Sequence, residues 1–403
     1  MFSKASNSSD PLSVIEFTIL VALMASLSAM STDMMLPGLA TIGENLNAPS
    51  ENSPQLIVSA ILLGLTFGQL FYGPLSDSYG RRPLVLLGFG VFSIGTLICI
   101  FAPNFYVLLF GRVLQGFGAA GPRVVSTSIV RDLYSGREMA KILSLMMSFF
   151  LIVPAISPSI GHFILTLAGW REIFYVLLAN ALITAIWFGV RQRETLQTEH
   201  RRPFSFKTIL SGFYEVSKNR VCVLTTILAG LMLGAFYSFL MSSPQIFNDQ
   251  FGIIDAFPYY FAALALCSGG VTLLNAKIVM KFGIRKLCKV ALHVKWTASF
   301  TFLICLLLNP PVSLFLFMLW AGIVFAVQAV LFGNLNAMAM APVGHMAGIG
   351  AAFVATISTA IGVSLGTLIG QNYNGTLIPL VLSFLVVATI SIVILSKFIP
   401  ERY

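Results

Sequence analysis

The sequence predicts an all-α polytopic membrane protein of twelve transmembrane helices arranged as two six-helix halves, and three observations carry that prediction. The 403 residues are 57% hydrophobic and only 10% charged, with a mean hydropathy of +0.89, whereas a soluble domain carries about a quarter charged residues. Apolar runs long enough to cross a hydrocarbon core of roughly 30 Å recur along the whole chain. Basic residues gather in every second connection between those runs.

The first run, 14–36, follows a short polar tail carrying Lys4 and has no small-residue cleavage site before the next polar loop, so a retained span is expected. Runs at 55–75, 84–102, 105–130, 139–167 and 173–190, separated by Pro, Gly, Asn and charge, complete a first half over 1–190. Residues 191–219 are the longest charged stretch and read as a cytoplasmic linker. A second half over 220–403 then holds runs at 221–241, 258–280, 287–308, 312–332, 344–370 and 375–398. Arg81, Arg82, Arg131, Arg137, Lys141, the cluster from Arg191 to Arg220, Lys277, Lys281, Arg285, Lys286, Lys289, Lys397 and Arg402 occupy one set of connections. The opposite set holds Arg171 as its single basic residue and carries Glu44, Glu51, Asp249 and Asp255. Because cytoplasmic loops are enriched in Lys and Arg, both termini are expected to face the cytoplasm.

Two six-run blocks suggest a duplicated architecture packed around a cavity at mid-membrane depth. GPLSDSYGRR (73–82) has a faint echo in AKIVMKFGIRK (276–286), where Gly80 and Arg82 align with Gly283 and Arg285 and Asp77 falls on Met280.

Several function classes are excluded. The net charge of +9 does not signal nucleic acid, because the cations are sparse and lack a basic patch with interleaved aromatics. Five cysteines without C-x-x-C spacing read as packing residues, and four histidines show no ligand spacing, so neither metal nor other cofactor is expected. Gly116-x-Gly118-x-x-Gly121 matches a dinucleotide fingerprint with no strand before it, and Gly362-x-Ser364-x-Gly366 matches a nucleophile elbow with no His/Asp partners. Both read as small-residue helix packing, and no enzyme is predicted.

A charge at the centre of a membrane helix costs about 2.5–3.5 kcal/mol on insertion scales, so charges within runs mark candidate sites. Asp33, in SAMSTDMMLP, lies well inside the first run; Glu16 is near enough to its end to reach water. In a cavity that opens to one side at a time, a carboxylate there exchanges its proton with one bulk phase only, which makes Asp33 the leading proton carrier; the plainer reading is a helix-end acid near Pro37. Arg112, about 10 Å along the fourth run at 1.5 Å per residue, must find a carboxylate such as Asp33, backbone carbonyls or water. Arg123, eleven residues on and about 20° around the same face, suggests a water-lined wall. In GPLSDSYGRRP the group Gly73, Asp77, Gly80, Arg81 and Arg82 reads as a latch between helix ends. Pro154, Pro158 and Gly161 interrupt the fifth run and permit it to bend. Met34, Gln115, Arg123, Met146 and Tyr237 are the candidate substrate-cavity residues.

These segments resemble the major facilitator superfamily, and within it the twelve-span drug:proton antiporters of the bicyclomycin/chloramphenicol resistance (Bcr/CflA) type. STDMMLP (31–37) is similar to that family's first-helix acid motif, GPLSDSYGRRP to the superfamily loop between helices two and three, GRVLQGFGAAG (111–121) to its fourth-helix arginine motif and VRDL (130–133) to the usual ending. FGIIDAFPYYFA, LLNAKIVMKFGIRK and GHMAGIGAAFVATI in the second half also resemble members. SPSIGHF departs from the fifth-helix antiporter motif, with Ser157 before Pro158 and His162 where a second glycine is usual. The resemblance implies a monomeric multi-pass protein of the bacterial inner membrane. It implies proton-coupled efflux of small lipophilic antibiotics, with Asp33 as the protonation site, Arg112 as its coupling partner and Asp77 with Arg81 as the intracellular latch. The rival readings are a facilitator for an endogenous metabolite, such as an amino acid or sugar derivative, and a membrane enzyme or receptor, for which the chain offers no catalytic set or soluble domain.

Overall fold

The computed structural model describes residues 12–201, 203–308 and 310–399; Lys4, Arg202 and Arg402 lie outside the described residues. Fourteen α-helices follow in order: α1 (Val14–Asp33), α2 (Leu39–Asn45), α3 (Leu56–Tyr79), α4 (Arg81–Ile100), α5 (Phe105–Leu133), α6 (Gly136–Leu167), α7 (Trp170–Arg191), α8 (Phe206–Ser217), α9 (Arg220–Phe251), α10 (Phe257–Phe282), α11 (Ile284–Leu308), α12 (Leu314–Met340), α13 (Ala347–Gln371) and α14 (Ile378–Lys397). Each of the twelve apolar runs is occupied by a long helix, leaving α2 and α8 as short extras. The first span ends at Asp33 rather than at residue 36, because Pro37 has no N–H to continue the ladder and disfavours helical backbone before it. Helix α8 falls inside the predicted linker, where the hydroxyl of Ser205 accepts from the Thr208 N–H at 3.2 Å and starts it.

By length and hydropathy alone, nine stretches among the described residues qualify as membrane spans, one of which (314–371) holds both α12 and α13. Helix α5 is not among them, since Arg112, Gln115, Arg123, Arg131 and Asp132 lower its hydropathy. It needs no lipid-facing character, because α1, α3 and α4 pack around it. Those packings run backbone to backbone on small residues. A Cβ on Gly116 would lie 1.9 Å from the Ile61 carbonyl oxygen of α3, and one on Gly118 2.2 Å from the Phe92 nitrogen of α4. The dinucleotide-like glycines are therefore a packing ridge, as in other small-xxx-small contacts. Gly362 and Gly366 of α13 do the same against Leu233 and Tyr237 of α9.

Helices α1–α7 pack on one another, as do α9–α14, and the two groups meet mainly through α6 with α10 and α3 with α13. The faint repeat has a structural counterpart. Gly80 and Gly283 both have positive φ (106° and 79°). Two residues beyond each, Arg82 donates to the Gly189 carbonyl of α7 at 2.6 Å, and Arg285 donates to the Leu395 carbonyl of α14 at 3.2 Å. In each group an arginine at the start of the third long helix thus grips the end of the last.

Gly116→Ala is expected to destabilise the protein by about 1–3 kcal/mol through overpacking, read as a lower unfolding midpoint in detergent. Gly322→Ala, inside α12 where a Cβ meets nothing within 4 Å, should leave the midpoint the same or raise it slightly.

Candidate functional site

Asp33 sits in the last turn of α1, where the Met34 N–H still donates to Met30 but the helix goes no further. Its side chain is 5% exposed and makes no ion pair among the described residues. Helix α6 presses on the same corner: a Cβ on Gly161 would sit 2.0 Å from the Met34 carbonyl oxygen, so only glycine permits this approach. Pro158 and Pro154 lie about one and two turns earlier in α6, where each removes an N–H from the ladder. Ser157 occupies the space between them by donating to the Val153 carbonyl at 2.7 Å.

Arg112 is 0% exposed. Its Nε donates to the Ile57 carbonyl at 3.2 Å, Nη1 to Gln115 Oε1 at 2.6 Å and Nη2 to the Ser31 carbonyl at 2.9 Å. The Phe174 ring lies 5.8 Å from Cζ. Of the partners open to it in the sequence reading, Arg112 takes backbone carbonyls. It reaches α1 through main chain, two residues before Asp33. The expected water-lined wall is corrected here, because the Arg112 end of that stripe is closed by protein oxygens. Gln115 is corrected with it: its Nε2 donates to Thr96 Oγ1 of α4 at 2.9 Å, so it points into the packed group rather than into a cavity. Arg123 is half-buried, and half-buried Tyr237 of α9 lies within electrostatic reach of both Arg123 and Asp33. This brings three predicted residues together across the two groups. Met34 and Met146 are buried.

At the end of the bundle rich in Lys and Arg, Arg81 forms the centre of a cluster. Its Nη1 donates to Asp77 and to Ser76 Oγ (2.8 Å), and its Nε to Asp132 Oδ2 at 3.0 Å. Glu194, just past α7, accepts from the backbone N–H groups of Arg81 (2.9 Å) and Arg82 (3.1 Å), which are the orphan donors at the start of α4. Gly80 is favoured beside it by its φ of 106°, and a Cβ there would also push on Glu194 Oε2, 2.4 Å away. Gly73 lies earlier in α3, with room for a Cβ 3.9 Å from Val124. The carboxyl group of Asp77 is 52% exposed, and the bonds of this cluster stay within α3–α7.

The opposite end is joined across the two groups by amides. Asn52 donates to the carbonyls of Gln371 (3.0 Å) and Tyr373 (2.8 Å) and receives a bond from Gln371 Nε2 on its own carbonyl (2.7 Å). Gln55 and Gln245 bond at 3.0 Å, and Gln245 donates to Asn52 at 3.2 Å. One turn deeper, Ser59 meets Thr367 at 2.8 Å. His162 of α6 faces Asp255 at 3.9 Å.

Residues 21–367 match the Major Facilitator Superfamily. The chain belongs to this family. It is 30% identical over 394 residues to an uncharacterised MFS-type transporter, YdgK, of Bacillus subtilis, covering 95% of each. It is 27% identical to the bicyclomycin resistance protein homolog of Haemophilus influenzae, covering 93% of this chain and 94% of that one. Multidrug resistance protein MdtL of Salmonella heidelberg is 32% identical over 59% of each. Among solved structures, a D-xylose–proton symporter superposes with a TM-score of 0.72 over 96% of this chain and 99% of its own at 16% identity, and so shares the fold. A bacterial homolog of the lysosomal transporter Spinster, inward-facing and occupied, gives 0.71 over 97% and 98%, also at 16% identity. The major facilitator fold is that of multi-pass membrane transporters, not of enzymes.

Three charged residues of this major facilitator chain escaped the reading of the sequence: Asp132, Glu194 and Lys295. Asp132 lies in the VRDL ending and Glu194 is the first acid after the sixth long helix. Lys295 stands in the middle of the 287–308 run, so the search for charges within runs that found Asp33 also reaches it.

Removing the side chain of Asn52 deletes three hydrogen bonds between the groups, each worth about 0.5–1.5 kcal/mol. Asn52→Ala is therefore expected to shift the resting population at least about tenfold toward separation of this end, read as lengthened distances between spin labels on α2 and α14.

Proposed function

We propose that the protein exports small lipophilic, drug-like molecules of the chloramphenicol or bicyclomycin type in exchange for protons. Transport proceeds by alternating access across the bacterial inner membrane, with both termini cytoplasmic and the halves 1–190 and 220–403 rocking about the linker 191–219. The observation that carries this reading is Asp33: a carboxyl group shielded within a lipid-solvated bundle, without an ion-pair partner among the described residues, in electrostatic reach of Tyr237 from the opposite half. An intramembrane acid so placed is the usual mark of a proton path. The names borne by the Haemophilus and Salmonella relatives support drug-like cargo.

Basic loops on the cytoplasmic side set the amide-joined end outward. The described state is then closed to the outside. Arg112 holds the end of α1 through the Ser31 carbonyl, so a change of charge at Asp33 bears directly on how that corner packs against Gly161 of α6. The Arg81 cluster keeps the cytoplasmic ends of α3, α4 and α5 together as one rigid piece of the latch while the halves part. Each inward proton supplies roughly 2.3 kcal/mol per 100 mV, enough for about a fiftyfold gradient of a neutral cargo.

Asp33→Asn is expected to insert and fold yet lose the driving force of one proton, so that the chloramphenicol gradient built by everted vesicles falls by about fiftyfold at 100 mV. Full uphill transport by that variant would place the coupling elsewhere. Arg112→Lys keeps the charge but not the three-way fork, and turnover should drop by about tenfold or more.

A further inference from the structure

Lys295 lies at the middle of α11 and is 0% exposed. Its Nζ donates to Gln328 Oε1 of α12 at 2.8 Å and to the Met232 sulfur of α9 at 3.4 Å, and stands 4.8 Å from the Phe384 ring of α14. Gln328 is held in turn by its own bond to the Met232 carbonyl at 3.2 Å. The groups that meet the Lys295 Nζ from α12, α9 and α14 are therefore an amide, a thioether and a ring, none of which ionises. Among the described residues it forms no ion pair.

Packing alone does not call for a lysine here, because a methionine has nearly the same length and no charge to insert. A purely structural cation is what Arg112 provides, with three oxygens on a guanidinium that never gives up its proton. Lys295 has one oxygen, one sulfur and one ring, a set that can accommodate its side chain either as ammonium or as amine. The ammonium directs its three N–H groups at the three electron-rich partners. The neutral amine keeps the bonds to Gln328 and Met232. Two of those partners sit on α9 and α12, and α9 also carries Tyr237, within electrostatic reach of Asp33.

We propose that Lys295 is a second proton-carrying site, in the C-terminal half, that exchanges its proton with water when the bundle opens the other way. The proposal rests on proton-coupled export. With Asp33 in one half and Lys295 in the other, two protons enter per cycle, and a monovalent cationic cargo is then also driven by voltage.

The test uses the full-length protein. In nanodiscs with 15N-labelled lysine, the Nζ signal lost in Lys295→Met is followed from about pH 5 to about pH 9; conversion between ammonium and amine is expected, and a single charge state throughout overturns the proposal. In proteoliposomes at zero voltage, the wild-type [14C]chloramphenicol ratio should change about a hundredfold per unit of imposed pH difference, against about tenfold in Lys295→Met. Lys295→Arg, which keeps the donor contacts but cannot release its charge, should also give about tenfold, even if the methionine variant fails to insert. A tenfold response in all three forms overturns the proposal and leaves Asp33 as sole carrier. A flat response in the wild type overturns coupling at both residues.

Discussion

The fork of Arg112 is the contact on which the N-terminal group depends. A guanidinium deep in a membrane protein is tolerable only when its donors are consumed, and here they are consumed by the main chain of α1, the main chain of α3 and a glutamine on its own helix. Such a fork fixes three helices relative to one another with little freedom for any of them. The glycines of α3, α4 and α5 make this possible, since the arginine reaches the Ser31 and Ile57 carbonyls only because the helix axes lie so close. Asp33 is placed by the same contact, two residues beyond the carbonyl that Arg112 holds. Charge chemistry and helix packing at this corner are therefore a single arrangement.

The two groups share a plan but not a chemistry. Arg82 and Arg285 play the same part, gripping the last helix of their groups from a position just past a positive-φ glycine. Asp77, however, corresponds to Met280, which is 88% exposed, so the second group has no acid at the position that meets Arg81 in the first. The buried polar centre also differs. The first group pairs Thr96 and Gln115 beneath an arginine, and the second pairs Gln328 with a lysine. Two similar frames thus hold a buried arginine in one group and a buried lysine in the other.

Much of this frame was legible in the sequence because lipid makes stringent demands. Spans must be apolar for about twenty residues and must satisfy their backbones internally, so runs and punctuation located all twelve long helices. Asp33, Arg112 and the GPLSDSYGRR loop stood out for the same reason. Direction and partner were not legible. Gln115 turns inward to Thr96 because Arg112 occupies its oxygen, a fact of packing with no trace in spacing. Glu194 reaches the start of α4 only because α7 brings the chain back beside it. Helix α8 was hidden by its charged surroundings, since a short helix stabilised by packing on α13 needs no long apolar run.

Apart from the long His162–Asp255 contact, the seal at the amide end is made by groups that carry no net charge. Hydrogen bonds among Asn52, Gln55, Gln245 and Gln371 neither titrate over the ordinary range nor weaken through ionic screening as exposed ion pairs do. The opposite end is built of carboxylates and guanidinium groups, which respond to both. On the proposed orientation, closure against the outer medium is then indifferent to its salinity and mild acidity, and the transporter is tuned from the cytosolic side.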